Sequence, residues 1–152
     1  MRLRDMLKDK LEEKDFQLLK TSFDIIGSIA IIEVPKELEK KEKVIADALM
    51  DINKNIKTVV KKKGIHGGEF RTQKVKIIAG EKTKETETKE NNVRLRLDVE
   101  KVYFSPRLST ERQRVASLVK IGESVLVMFS GCAPYVCVIA KNSPAKEVYG
   151  IE

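Results

Sequence analysis

The segment richest in chemical signal is Ser124-Val-Leu-Val-Met-Phe-Ser-Gly-Cys-Ala-Pro-Tyr, which reads as an apolar strand, a small-residue turn and the start of a helix. A glycine closing such a strand, here Gly131, lets a ligand approach the backbone closely. The unbonded N–H groups at the start of the following helix suit an anion such as a carboxylate. Roughly 20 residues further on, the chain reads Val148-Tyr-Gly-Ile-Glu, so a second strand ends in an acid, Glu152. In a nucleotide-binding α/β unit an acid in that place accepts hydrogen bonds from ribose hydroxyls. The turn holds one glycine, with Ala133 where a second often sits. The pattern therefore leaves two readings open, a cofactor site or an ordinary strand–turn–helix.

Other reactive side chains say less. Cys132 and Cys137 stand five apart, and His66 is the one histidine. A structural zinc needs about four ligands, so no metal is expected. Two small buried thiols in a reducing cytosol are the plain reading. His66, between Gly64 and Gly67-Gly68, reads as a loop residue. The lysine cluster at 40–43 suits a solvated helix face. Lys61-Lys-Lys, followed by glycines, is a better phosphate contact, because flexible backbone beside several cations can follow a polyanion.

These residues sit in a chain of 152, with 41% hydrophobic and 35% charged side chains. That excludes a collagen-like or largely disordered chain and fits one large domain or two small ones. Thirty basic residues against 23 acidic give +7, mostly in the first half, a balance compatible with nucleic acid. No run reaches the ~18 apolar residues of a membrane helix, and the first residues lack a signal-peptide core. A cytoplasmic protein without membrane contact is expected. High Lys and Glu with few Asn and Gln suits a thermophile.

The elements that must position the chemistry follow from periodicity. Residues 2–12 space Leu3, Met6, Leu7 and Leu11 as a helix does. Phe23–Val34 is β-branched and reads as two short strands or one bent strand around Gly27-Ser28. Lys36 to Asn53 is a helix, and Asn55–Lys63 a basic strand. Lys82–Glu90 and Val93–Val102 alternate around Asn91-Asn92 as a β-hairpin, the first strand wet on both sides. Pro106 fits a loop or a first helical turn, and Leu108–Leu118 continues as a helix. Glu123–Phe129 reads as a buried strand, Tyr135–Lys141 as a helix and Glu147–Ile151 as a strand. The pattern changes near residue 105. The expected fold is an α+β domain over 1–104, followed over 105–152 by the opening of an α/β domain.

The strings His66-Gly-Gly-Glu-Phe-Arg-Thr, Ile78-Ala-Gly-Glu, Leu97-Asp-Val-Glu-Lys-Val-Tyr-Phe-Ser-Pro-Arg-Leu-Ser-Thr-Glu-Arg, Met128-Phe-Ser-Gly-Cys-Ala-Pro-Tyr and Tyr149-Gly-Ile-Glu occur in this order. Together they resemble the archaeal and eukaryotic tRNA (guanine-37-N1)-methyltransferase family. The resemblance runs the length of the chain. It implies that residues 105–152 are the first half of an α/β Rossmann-like class I methyltransferase domain that uses S-adenosylmethionine. A sister family, the wybutosine-pathway aminocarboxypropyltransferases, shares the Phe-Ser-Pro core but usually lacks the arginine that follows, here Arg107.

Methylating guanine at N1 requires loss of its proton, and negative charge then gathers on O6. The resemblance implies Glu111 as the general base and Arg71 as an O6 partner, with Tyr103, Arg107 and Arg112 building the substrate pocket. It places S-adenosylmethionine along Phe129, Ser130, Gly131, Cys132, Ala133 and Pro134, with Glu152 on its ribose. Each has a plainer reading: Glu111 near a helix start suits the helix dipole, the arginines suit surface ion pairs and Tyr103 suits a core. Where the family usually has an aspartate and a second glycine, this chain has Val127 and Ala133. The family's domain continues through further strands, so the chain is expected to be an amino-terminal portion, completed by a C-terminal segment or a separate chain. The implied partner is tRNA rather than DNA. The alternatives are aminocarboxypropyl transfer to tRNA and a catalytically silent tRNA-binding fragment.

Overall fold

A computed structural model describes residues 2–152. Its first unit is a four-stranded sheet in the order β1 (Phe23–Ile26), β2 (Ile29–Ile32), β3 (Thr58–Lys62), β4 (Val75–Gly80). Of the two readings of Phe23–Val34, the structure shows two strands, β1 and β2, paired antiparallel around Gly27-Ser28, and β4 runs antiparallel to β3. β2 and β3 are parallel, Ile32 facing Lys61, joined through a 3-10 turn (Lys36–Lys41) and α3 (Glu42–Ile52). The helix expected over 2–12 is shorter, α1 (Leu3–Leu7), and a separate short helix, α2 (Glu13–Gln17), follows it.

Side chains alternate across this sheet, as the period of two requires. Ala30, Ile32 and Val59 face a core made with Leu3, Leu7, Leu38, Ile45 and Leu49 of the helical layer. Ile29 and Val60 face the opposite side, where they meet Leu95, Leu97, Val99 and Phe104. The second layer is the hairpin of β5 (Glu85–Glu90) and β6 (Val93–Asp98). Asn91 and Asn92 both take positive φ, 45° and 62°, as its two-residue turn demands. β5 is not wet on both sides: Thr86 is buried, and its hydroxyl accepts the Ser28 N–H at 2.9 Å. Gly27 makes that approach possible, because a Cβ there would overlap the Glu87 carbonyl and the Thr86 hydroxyl.

The second unit is α4 (Ser109–Leu118), β7 (Ser124–Met128), α5 (Pro134–Asn142) and β8 (Glu147–Ile151), with β7 and β8 parallel. A 3-10 turn at Pro106–Leu108 leads into α4. Val125, Val127 and Val148 pack on Ala116, Val138 and Ile139. The opposite face is open, so β7 is not the buried strand its composition suggests: Leu126, Met128, Tyr149 and Ile151 are all more than half exposed. The chain is thus an α+β unit followed by an α/β unit. Among the described residues no helix is long and apolar enough to cross a membrane.

Charge pairing stitches the first unit together. Lys61 is buried and lies between Glu39 and Glu42, at 2.9 and 2.6 Å, so it is not the phosphate contact its sequence neighbours suggest. The Val75 N–H and the Lys84 ammonium both donate to Glu100, at 2.8 and 2.7 Å. Burial works against ionised Glu42, but Lys61 and Lys76 outweigh it and hold its carboxyl below the usual 4.5. Lys20 does the same for Glu33, and Lys84 with the Val75 N–H does so for Glu100.

A carboxyl whose pKa falls on folding stabilises the fold above its unfolded value and loses that contribution as pH drops through its folded value. Melting temperature should therefore be flat down to about pH 5 and fall below about pH 4.5, as these groups protonate. A melting curve unchanged between about pH 5 and pH 3 would contradict these pairings.

Candidate functional site

The two units meet at an open hollow of about 490 Å³. The loop between β3 and β4 brings Phe70 and Arg71 to it, and the segment after β6 brings Tyr103, Phe104 and Ser105. The 3-10 turn before α4 contributes Leu108 to its lining, and α4 contributes Arg112; Phe129, Ser130, Gly131 and Cys132 come from the β7–α5 turn, Pro134 and Tyr135 from the start of α5, and Glu152 from just after β8.

Three non-glycine residues around this hollow take left-handed backbone: Arg71 (φ 51°), Phe129 (φ 54°) and Ala133 (φ 61°). Such conformations cost about 1 kcal/mol or more each and persist where the surroundings hold them. At Arg71 the holder is visible. The His66 Nδ1–H donates to the Arg71 carbonyl at 2.9 Å, and the His66 ring meets Tyr103 edge-on at 5.5 Å. His66 is therefore more than a loop residue. The Arg71 guanidinium makes no ion pair among the described residues, which leaves it available to a ligand.

The β7–α5 turn is built the same way. Gly131 has φ 56°, and its N–H donates to the Glu152 carboxylate at 2.7 Å. The Ser130 N–H donates to the Ile151 carbonyl at 3.0 Å, tying the turn to β8. Gly150 fits closely alongside: a Cβ there would stand 2.8 Å from Val136 Cγ2, so a larger residue would have to displace that side chain. Ala133 is the N-cap of α5 and no side chain caps the helix, so its first N–H groups remain free for an anion. Phe129 is 90% exposed and offers an unpaired aromatic face at the rim. A free helix start, a carboxylate on the turn and aromatic walls together fit a ligand carrying an anionic group, hydroxyls and a flat ring. Cys132 and Cys137 are half-buried free thiols, and burial pushes the Cys132 thiol up, keeping it protonated.

The structure separates other expected site residues from this hollow. Arg107 points to a neighbouring hollow and pairs with Asp24 at 2.7 Å. Ala133 shapes the turn but does not line the hollow. Glu111 lies outside the lining, on the exposed side of α4, where both its oxygens accept from Arg114 at 2.7 and 2.8 Å. That guanidinium holds the Glu111 carboxyl below its ordinary value.

Arg112 reaches the wall but is committed elsewhere. Its side chain is 1% exposed, and it donates to both oxygens of Glu90, Nη2 at 2.7 Å, and to the Ser105 carbonyl at 2.9 Å. Its guanidinium also lies over the rings of Phe104 and Tyr135, at 5.0 and 5.8 Å. Glu90, Phe70, Phe104 and Tyr135 were not expected at the site. Phe70, Phe104 and Tyr135 do fall within the quoted strings, whereas Glu90 has no local signal at all.

Residues 3–83 match the model of the TYW2 N-terminal domain, and residues 86–152 match the TRM5/TYW2 methyltransferase domain. A curated relative, the tRNA (guanine(37)-N(1))-methyltransferase Trm5b of Pyrococcus abyssi, is 50% identical over 127 residues, 84% of this chain and 38% of the relative. The solved complex of aTrm5 with tRNALeu superposes with a TM-score of 0.87 at 33% identity, over 100% of this chain and 45% of that one. TYW2 of P. horikoshii in complex with MeSAdo gives 0.71 at 28% identity, over 97% and 51%. The chain spans about two-fifths of the length of the curated relatives it matches.

Replacing Glu90 by Gln leaves the Arg112 charge buried without its partner. It should lower stability by about 3–5 kcal/mol in urea unfolding. Glu111→Gln, on the exposed face of the same helix, should leave the urea midpoint nearly unchanged. Equal effects would contradict the pinning of Arg112 by Glu90.

Proposed function

Because the chain belongs to the TRM5/TYW2 methyltransferase family, we propose that it takes part in methyl transfer from S-adenosylmethionine to N1 of the guanine beside the tRNA anticodon. The observation that carries this reading is the convergence, on one hollow, of the Arg71 loop, the Tyr103–Ser105 segment, the Phe129–Pro134 turn and Glu152. Solved relatives support the choice of cofactor: a Trm5 structure is in complex with adenosine, and TYW2 structures are in complex with MeSAdo or AdoMet.

In this reading the free start of α5 receives the cofactor's carboxylate, and Glu152 exchanges its bond to the Gly131 N–H for the ribose hydroxyls. Bound there, the sulfonium supplies an already activated methyl group, which leaves orientation and deprotonation to the protein. Arg71, whose guanidinium makes no ion pair among the described residues, stands ready to stabilise charge developing on O6 of the guanine. Glu111 is the proposed base. It is charged at neutral pH, as a proton acceptor must be, and its side chain has to leave Arg114 to reach the guanine. Tyr103 and Phe70 offer faces on which a base extruded from the anticodon loop can stack. Arg112 supports the wall behind them, and Arg107 contributes from the adjoining hollow.

Aminocarboxypropyl transfer is the second reading, favoured by the match of residues 3–83 to the TYW2 N-terminal domain. The Arg107 that follows Phe-Ser-Pro argues for methyl transfer. The mass added to tRNA separates the two.

Calorimetric titration of the chain with S-adenosylmethionine should show saturable binding, weakened about tenfold or more by Glu152→Ala. Absence of binding heat would reject the cofactor reading and leave a silent tRNA-binding protein. In single-turnover methylation, Glu111→Gln should keep tRNA affinity and slow the chemical step by ~10²-fold or more. A near-normal rate would remove Glu111 from the role of base.

A further inference from the structure

A second concave surface lies where the ends of β2 and β3 come together, an open groove of about 670 Å³. Six lysines and two glutamates line it, along with Val34 and Gly64. The glutamates are already used: Glu39 and Glu42 bind Lys61, and Glu42 also binds Lys76 at 2.8 Å. Those four charges cancel and fix the floor. Lys62 leans on Glu33 at 3.4 Å. Lys36, Lys40 and Lys63 are exposed and make no ion pair among the described residues. Three like charges around one concavity, unpaired among the described residues, repel one another.

The groove is joined to the site by shared walls. Lys62 lines the groove, and it also lines the hollow that holds Asp24 and Arg107. Ser105 lines that hollow and the Arg71 hollow alike. The chain itself makes the same connection, since Lys63 and Gly64 in the groove lead directly into the loop that presents His66 and Arg71.

We infer that the Lys36–Lys40–Lys63 groove is a backbone track for RNA, holding phosphates of the strand whose target base enters the Arg71 hollow. The inference rests on the functional reading above and adds to it a surface and three residues. Lysine is suited to the task as a strongly hydrated point cation on a flexible stem, which grips phosphate without reading sequence. Each phosphate neutralised releases a counterion, so the three residues must show themselves in the salt dependence of binding.

The test is anisotropy titration of the full chain with unfractionated tRNA across a series of salt concentrations. In the triple variant Lys36→Gln/Lys40→Gln/Lys63→Gln, the slope of log affinity against log salt should fall by about two, with the melting temperature unchanged. The triple Arg variant at the same positions should restore the slope. A control triple, Lys8→Gln/Lys10→Gln/Lys82→Gln, removes the same charge from lysines that line none of these hollows and should leave the slope near wild type. An unchanged slope in the groove variant, or an equal loss in the control, overturns the track while leaving the site reading intact. A wild-type chain that binds S-adenosylmethionine but no tRNA overturns the track and the RNA part of the function together. Loss of poly-glutamate binding with tRNA binding intact overturns it in favour of an acidic protein partner.

Discussion

The bidentate contact between Arg112 and Glu90 is the constraint on which the rest of the site depends. Glu90 ends the hairpin layer of the first unit, and Arg112 belongs to the first helix of the second. Removing both charges from water costs several kcal/mol per ion, and only near-complete hydrogen bonding offsets that. Here the carboxylate accepts twice, the Ser105 carbonyl takes a further guanidinium N–H, and Phe104 and Tyr135 cover the guanidinium's faces. Because every partner also walls or flanks the hollow, the pair sets where the two units stand and how wide the space between them is. It specifies geometry more than it adds stability.

A division of labour between the units follows from this. The first unit contributes cations and a loop whose conformation His66 holds; the second contributes backbone N–H groups and a carboxylate on a hydrogen-bonded turn. Left-handed residues occur on both sides, at Arg71 and at Phe129. At Arg71 the unfavourable backbone is held by the His66 side chain of the same loop, and just after Phe129 the Ser130 N–H ties the turn to the Ile151 carbonyl of β8.

Local pattern in the sequence was informative wherever one element's own periodicity decides the outcome. The β1–β2 and β5–β6 hairpins, α3, α4, α5 and β8 follow from alternation, β-branching, Pro106 and the paired asparagines. β4 was not anticipated, because Val75 to Gly80 becomes a strand only by pairing with β3. Lys61 and Arg112 read as solvent or substrate contacts, since nothing near them in sequence announces Glu39, Glu42 or Glu90 as partners. Glu111 shows the opposite case. A motif can nominate it, but its resting geometry is set by Arg114, one turn along the same helix. Motif strings located the hollow; burial and pairing, which are tertiary, decided which of its residues remain free.

The open side of the β7–β8 ribbon carries a different implication. Leu126 stands opposite Tyr149 and Met128 opposite Ile151, so four greasy side chains form a contiguous raft in water. Patches of this kind govern colloidal behaviour more than fold energetics. Kosmotropic salts, which sharpen the exclusion of apolar surface from water, will drive this raft against any like surface first. Crowded or salted-out preparations of the molecule should therefore cohere through its α/β half, while the lysine-studded half stays hydrated.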